Sequence, residues 1–335
     1  AAGWSLRLKE SVRYSYLAMF LRDRVRSVSA VRGWLLRQEM LVRYGAPTLP
    51  HVLAHLGATD DDDVRIALLH LLAALRRPVP LDVFRPFLRS SNKNVTAAAV
   101  SCLGRCVGAE GYDVIVSFLR SDDLWLAFHA ADALAELGDP RAVDILMERY
   151  TEGVLRKSLL RSLGRLGNVR IVPFLTRSLV EGGKIHLDAL DALYQIHGRL
   201  ERGGDAALQR RFEALFRENF SLDRLEELMA RGFGSLERLL HVAAIEALGW
   251  LQSEHAVERL IRALAEADLR PYAADALARL GASALPAVIR AFDDYDDNET
   301  VLAAAAEVAG RIGDAVAVRP LSRLLMREEA DVRLA

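Results

Sequence analysis

The chain has 335 residues, 52% apolar and 7% aromatic, with a formal net charge of −1. That much apolar residue supplies a continuous core, and the charge balance excludes the strong basic excess of a general nucleic-acid binder. The two cysteines build no disulfide framework and fit a reducing, cytoplasmic compartment. No apolar run reaches the ~18–20 residues of a membrane span.

Charge is distributed unevenly along the chain. Residues 1–45 hold nine basic side chains against three acidic ones, +6, which leaves −7 for the rest. In this segment Trp4, Tyr14, Tyr16, Phe20 and Trp34 are interleaved with arginine. Residues 1–28 are therefore expected to form a basic N-terminal capping helix region, since a stacked array must close its exposed end. The alternative reading is an amphipathic helix lying on an anionic membrane surface. Only four of the 44 basic residues are Lys. Coding bias accounts for this simply, and a preference for bidentate anion contacts is the functional alternative.

From residue 29 onward the chain repeats itself. A glycine returns behind a short apolar pattern, as in Leu134-Ala135-Glu136-Leu137-Gly138 and Leu277-Ala278-Arg279-Leu280-Gly281. Gly108, Gly138, Gly167 and Gly198 lie 30, 29 and 31 residues apart, and Gly281 and Gly313 lie 32 apart. Such a period marks stacked units that bury their apolar faces on their neighbours. Each unit reads as two helices. The first is Ala-rich with helical spacing, as in Ala127, Ala130, Ala131, Leu134 and Leu137, and ends at the glycine. The second is shorter and carries proline near its start: Pro50, Pro86, Pro173, Pro286 and Pro320. Asp63, Asn94, Asp123, Asp268 and Asn298 are read as N-caps of the next first helix.

Regular units are expected over 29–199 and 233–335, the last one truncated at Asp331-Val332-Arg333-Leu334-Ala335, so that the chain reads as a fragment or processed form. Gly198 and the matching turn at Gln252 stand 54 residues apart, short of two units. Residues 200–232 are therefore read as irregular or inserted, with helices at 205–218 and 221–231.

The segment Gly138-Asp139-Pro140-Arg141-Ala142-Val143, preceded by Ala130-Ala131-Asp132-Ala133-Leu134, resembles the HEAT-like repeat of the phycobilisome-lyase type, as do Asp63-Val64-Arg65 and Asp331-Val332-Arg333. The resemblance implies an all-α fold, an α-solenoid of about nine stacked helix pairs in a right-handed superhelix. It also implies protein-binding surfaces in most members and bilin-lyase activity in a few. The tetratricopeptide pattern and the Thr-Pro-Leu-His of ankyrin are absent.

No catalytic constellation emerges. Cys102 and Cys106 share a helix face but read as small core residues, and no cofactor or metal is expected. His51 and His55 have the i, i+4 spacing of zinc ligands but lack the intervening Glu. The acidic runs at 60–63 and 293–299 lack the spacing of a calcium loop and read as solvated loops with helix caps. The remaining candidate is a series of arginines on the second helices: Arg89, Arg120, Arg149, Arg177, Arg262, Arg290 and Arg323. In solenoids of the resembled type second helices line the concave surface. The expected function is therefore a non-enzymatic scaffold or adaptor that grips an acidic partner segment there. A bilin lyase-isomerase subunit and a helical-repeat nucleic-acid binder are the alternatives.

Overall fold

The computed structural model of the chain describes residues 41–43, 45–180, 186–230 and 238–326. The N-terminal region 1–28, the glycines at 182–183 and the closing segment 331–335 lie outside the described residues. Those residues form eighteen α-helices and short 3₁₀ turns, with no strand among them. The chain divides into two compact units, residues 1–162 and 163–335.

In the first unit the order is α1 (Leu49–Ala58), α2 (Asp62–Leu75), α3 (Leu81–Leu88), α4 (Lys93–Cys102), α5 (Tyr112–Leu119), α6 (Leu124–Leu137), α7 (Ala142–Thr151) and the start of α8 (Arg156–Leu166). The first helices α2, α4 and α6 stack on one another, and α1, α3 and α5 pack against them. Their shared face is built from small side chains: Ala97, Ala98, Ala99, Ala127, Ala130 and Ala131 are buried. Alanine lets helix axes approach closely and carries the highest helix propensity.

The second unit runs α9 (Val172–Val180), α10 (His186–Arg202), α11 (Ala206–Asn219), α12 (Leu222–Ala230), α13 (Arg238–Leu251), α14 (Glu254–Ala263), α15 (Arg270–Leu280), α16 (Leu285–Asp294), α17 (Glu299–Ile312) and α18 (Val318–Leu324). Here α10, α13, α15 and α17 form the first-helix stack. Two helices, α11 and α12, stand between α10 and α13 where elsewhere a single second helix intervenes. Phe212 and Phe216 of α11 are fully buried against Trp250 of α13, with ring centroids 5.0 and 5.2 Å apart in edge-to-face geometry.

Local chemistry accounts for most boundaries. Gly108, Gly138, Gly281 and Gly313 take φ of 74, 75, 60 and 70°, the left-handed region that a Cβ disfavours. Arg76 and Gln252 occupy the same place in their repeats at φ 49 and 53°. The glycine pattern is misleading at two positions. Gly198 lies inside α10, and the chain turns instead at Gly204, φ 69°. Gly167 ends α8 without a positive φ.

Other glycines serve packing between helices. A Cβ at Gly104 would collide with the Ala133 carbonyl oxygen, and one at Gly164 would fall 2.8 Å from Ala192 Cα. Gly104 sits in a π-helical turn, Leu103–Val107, that continues α4. The Cys106 carbonyl in that turn accepts from the Val79 amide at 2.9 Å.

Caps follow the expected chemistry but not always the expected residue. Asp123 and Asn298 cap α6 and α17. The caps of α2 and α4 are Asp61 and Asn92, two residues before Asp63 and Asn94. Leu269, not Asp268, precedes α15, and no side chain caps it. Pro50, Pro173, Pro286 and Pro320 stand in the first turns of their helices, whereas Pro86 is the sixth residue of α3, which starts behind Pro80.

Candidate functional site

The arginine series divides by environment. Arg149 of α7 is drawn inward, its side chain 13% exposed, and pairs with Glu152. Arg120 at the end of α5 lies 3.6 Å from Glu148, and Arg290 of α16 lies 3.3 Å from Glu254 of α14. Arg89, Arg177, Arg262 and Arg323 are exposed and make no ion pair among the described residues.

Clefts open between consecutive second helices in each unit. In the first, α3 and α5 flank a cleft of about 220 Å³ lined by Leu81, Arg85, Leu88, Arg89, Val114 and Phe118. In the second, α14 and α16 flank one of about 440 Å³ that holds Arg262 and Arg290 together with Glu258 and Asp294. Arg89 thus borders an apolar floor, while Arg262 and Arg290 share their cleft with carboxylates.

A larger groove, about 490 Å³, lies on the first helices of the first unit. Its polar wall includes His70 from α2, Ser101 of α4, Arg105 of the π-helical turn, His129 and Asp132 of α6, and Arg161 of α8. Ser101 Oγ lies 3.1 Å from His129 Nδ1. Arg105 Nη2 donates to Glu136 at 3.2 Å, while its Nε is buried with no acceptor. His129 Nε2 is also buried without a partner. Burial lowers the pKa of both histidines; the Arg105 charge adds to this at His70, and the Asp132 carboxylate opposes it at His129. Phe128 completes the rim, and the half-exposed Trp125 ring lies parallel to it at 6.2 Å.

Sequence reading missed this groove because its residues sit at unequal positions in their repeats. His70 and Ser101 are each eight residues past their helix start, while His129 is five past its own. The spacing of titratable residues along successive first helices was the available signal.

The other candidates lie apart from this groove. Of the acidic run at 293–299, read as a solvated loop, Asp293 and Asp294 belong instead to α16, Asp294 lines the α14–α16 cleft, and Asn298 caps α17. Cys102 and Cys106 are buried and reduced, and Sγ of each lies near a carbonyl of α2, Leu69 at 2.9 Å and Leu72 at 3.3 Å. Burial pushes the Cys102 thiol well above its ordinary pKa and that of Cys106 up to about 11, so neither is a ready thiolate. His55 is exposed on α1 and His51 partly so. Asp61 caps α2, and Asp60 and Asp62 pair with Arg65 at 3.1 and 2.9 Å. No cluster of three metal-ligating side chains occurs among the described residues, and none of their helices is long and apolar enough to cross a membrane.

Residues 81–164 match the family described as HEAT repeats, and residues 240–266 match the PBS lyase HEAT-like repeat. No curated protein matches the sequence. Among solved structures, human deoxyhypusine hydroxylase in complex with glycerol is 17% identical, with a TM-score of 0.33, over 80% of this chain and 99% of that one.

Proposed function

We propose that this chain, built of HEAT-like repeats, is a non-enzymatic interaction scaffold that holds an acidic segment of a partner protein along its second helices. The observation that carries this reading is the pair of clefts between consecutive second helices, one in each unit, both bordered by arginines of the recurring series. Guanidinium groups grip carboxylates bidentately. One exposed contact adds only ~0.2–1 kcal/mol, so affinity must come from several acting together. Arg120, Arg149 and Arg290 already face carboxylates of the chain, which leaves Arg89, Arg177, Arg262 and Arg323 as the principal contacts.

The test is capture of a partner by the full chain, followed by a salt series. Binding should weaken as salt rises. Replacing Arg177, Arg262 and Arg323 together by Ala should weaken it further, with the melting temperature nearly unchanged. A triple variant that binds as tightly as the parent at low salt sinks the proposal.

A further inference from the structure

The groove on the first helices presents a set of donors with little to receive them. The Arg161 side chain is exposed and makes no hydrogen bond or ion pair among the described residues. Arg105 spends one nitrogen on Glu136, and its Nε is buried without an acceptor. If the Ser101 hydroxyl donates to His129 Nδ1, the ring carries its proton on Nε2, which also lacks an acceptor. A buried donor left unmatched forfeits the hydrogen bond it had in water, so two beside one groove call for an explanation. Against two guanidiniums the lining carries a single carboxylate, Asp132, which already interacts with His129.

The arrangement also has a built backbone. Arg105 is carried on the π-helical turn Leu103–Val107, and such wide turns recur at functional sites. Gly104 beside it is the residue that lets α4 meet α6 at this level. The groove therefore joins three first helices and the start of a fourth around one opening, rather than lying along a single helix.

We propose that this groove binds an oxyanion, a carboxylate or phosphate group, held by Arg161 and Arg105 with the Ser101–His129 pair as neutral donor. Phe128 and Trp125 would take the apolar part of whatever molecule bears it. The site uses first helices only, so it stands or falls separately from the second-helix clefts.

The experiment follows the histidine Cε1–H resonances of the full chain, labelled at histidine, during titration with sodium phosphate, sodium acetate or sodium chloride at matched ionic strength. The His129 signal is assigned by its loss in His129→Gln. It should shift saturably with phosphate, with acetate or with both, and not with chloride. Saturation by phosphate alone identifies a phosphoryl ligand, and saturation by acetate identifies a carboxylate. Arg161→Gln should raise the apparent dissociation constant by about tenfold, as expected for loss of a charged hydrogen bond. Asp132→Asn should lower it, because a repelling carboxylate is gone. No saturable shift in the parent, or a dissociation constant unchanged in Arg161→Gln, overturns the proposal.

Discussion

At the scale of single residues, the groove histidines couple stability to pH. His129 faces Ser101 and Asp132 and stands near His70 on α2; His70 in turn feels Arg105. For both the largest influence is burial, which favours the neutral ring. The unfolded chain takes up protons on these side chains near pH ~6.5, and the folded chain does so only at lower pH. Between those values the unfolded state binds more protons, so stability rises with pH there and is lost as pH falls below ~6.5. The slope from His129 cannot exceed about 1.4 kcal/mol per pH unit, and the exposed His70 contributes less because solvent screens its charge. Glu246 acts in the opposite sense. Burial raises its pKa despite the neighbouring Arg279, so its contribution is present below ~4.5 and is lost as pH rises through its folded value. The difference between parent and variant therefore isolates the ring. His129→Gln should show a smaller loss of urea midpoint than the parent between about pH 7 and pH 5, and equal losses in the two proteins would contradict the assignment.

At the scale of elements, the packing glycines decide how closely first helices approach. Gly104→Ala would place a methyl against the Ala133 carbonyl, a backbone group that cannot swing aside. Overpacking of this kind costs about 1–3 kcal/mol or more. Gly310 is the control. It lies inside α17 with open space around its missing Cβ, and Gly310→Ala should stabilise by about 0.5–1 kcal/mol. Urea unfolding of both variants checks the pair, and a neutral Gly104→Ala would show that α4 and α6 have room to yield. Much at this scale was legible in the sequence. The turn glycines at 108, 138, 281 and 313, the first-turn prolines and the caps Asp123 and Asn298 each follow from a local rule. The failures have physical causes. Gly198 follows the turn pattern but sits within a helix that runs on to Arg202. Asp63 and Asn94 fit the cap preference, but Asp61 and Asn92 are nearer to the extended backbone that a cap requires. A one-dimensional pattern cannot tell a glycine needed for a left-handed φ from one needed for a missing Cβ. The groove was hidden for a related reason: Ser101 and His129 meet only once α4 and α6 are packed.

At the scale of the whole molecule, each repeat is buried chiefly by its neighbours in the chain. In the first unit α4 lies between α2 and α6, and in the second α15 lies between α13 and α17. Stability in such an array is close to a sum of repeat terms and nearest-neighbour terms, so a local defect should open a local stretch. Amide hydrogen exchange reads this directly, because each segment exchanges through the cheapest opening that exposes it. Gly104→Ala removes stability from the α4–α6 contact. Peptides from α4, the π-helical turn, α5 and α6 should therefore exchange faster than in the parent by about the factor set by the lost free energy, tenfold for each 1.4 kcal/mol. Peptides from α15 and α17, in the other compact unit, should keep their parental protection. Equal loss of protection in α4–α6 and α15–α17 would mean that the chain opens as one cooperative body and that nearest-neighbour addition does not describe it.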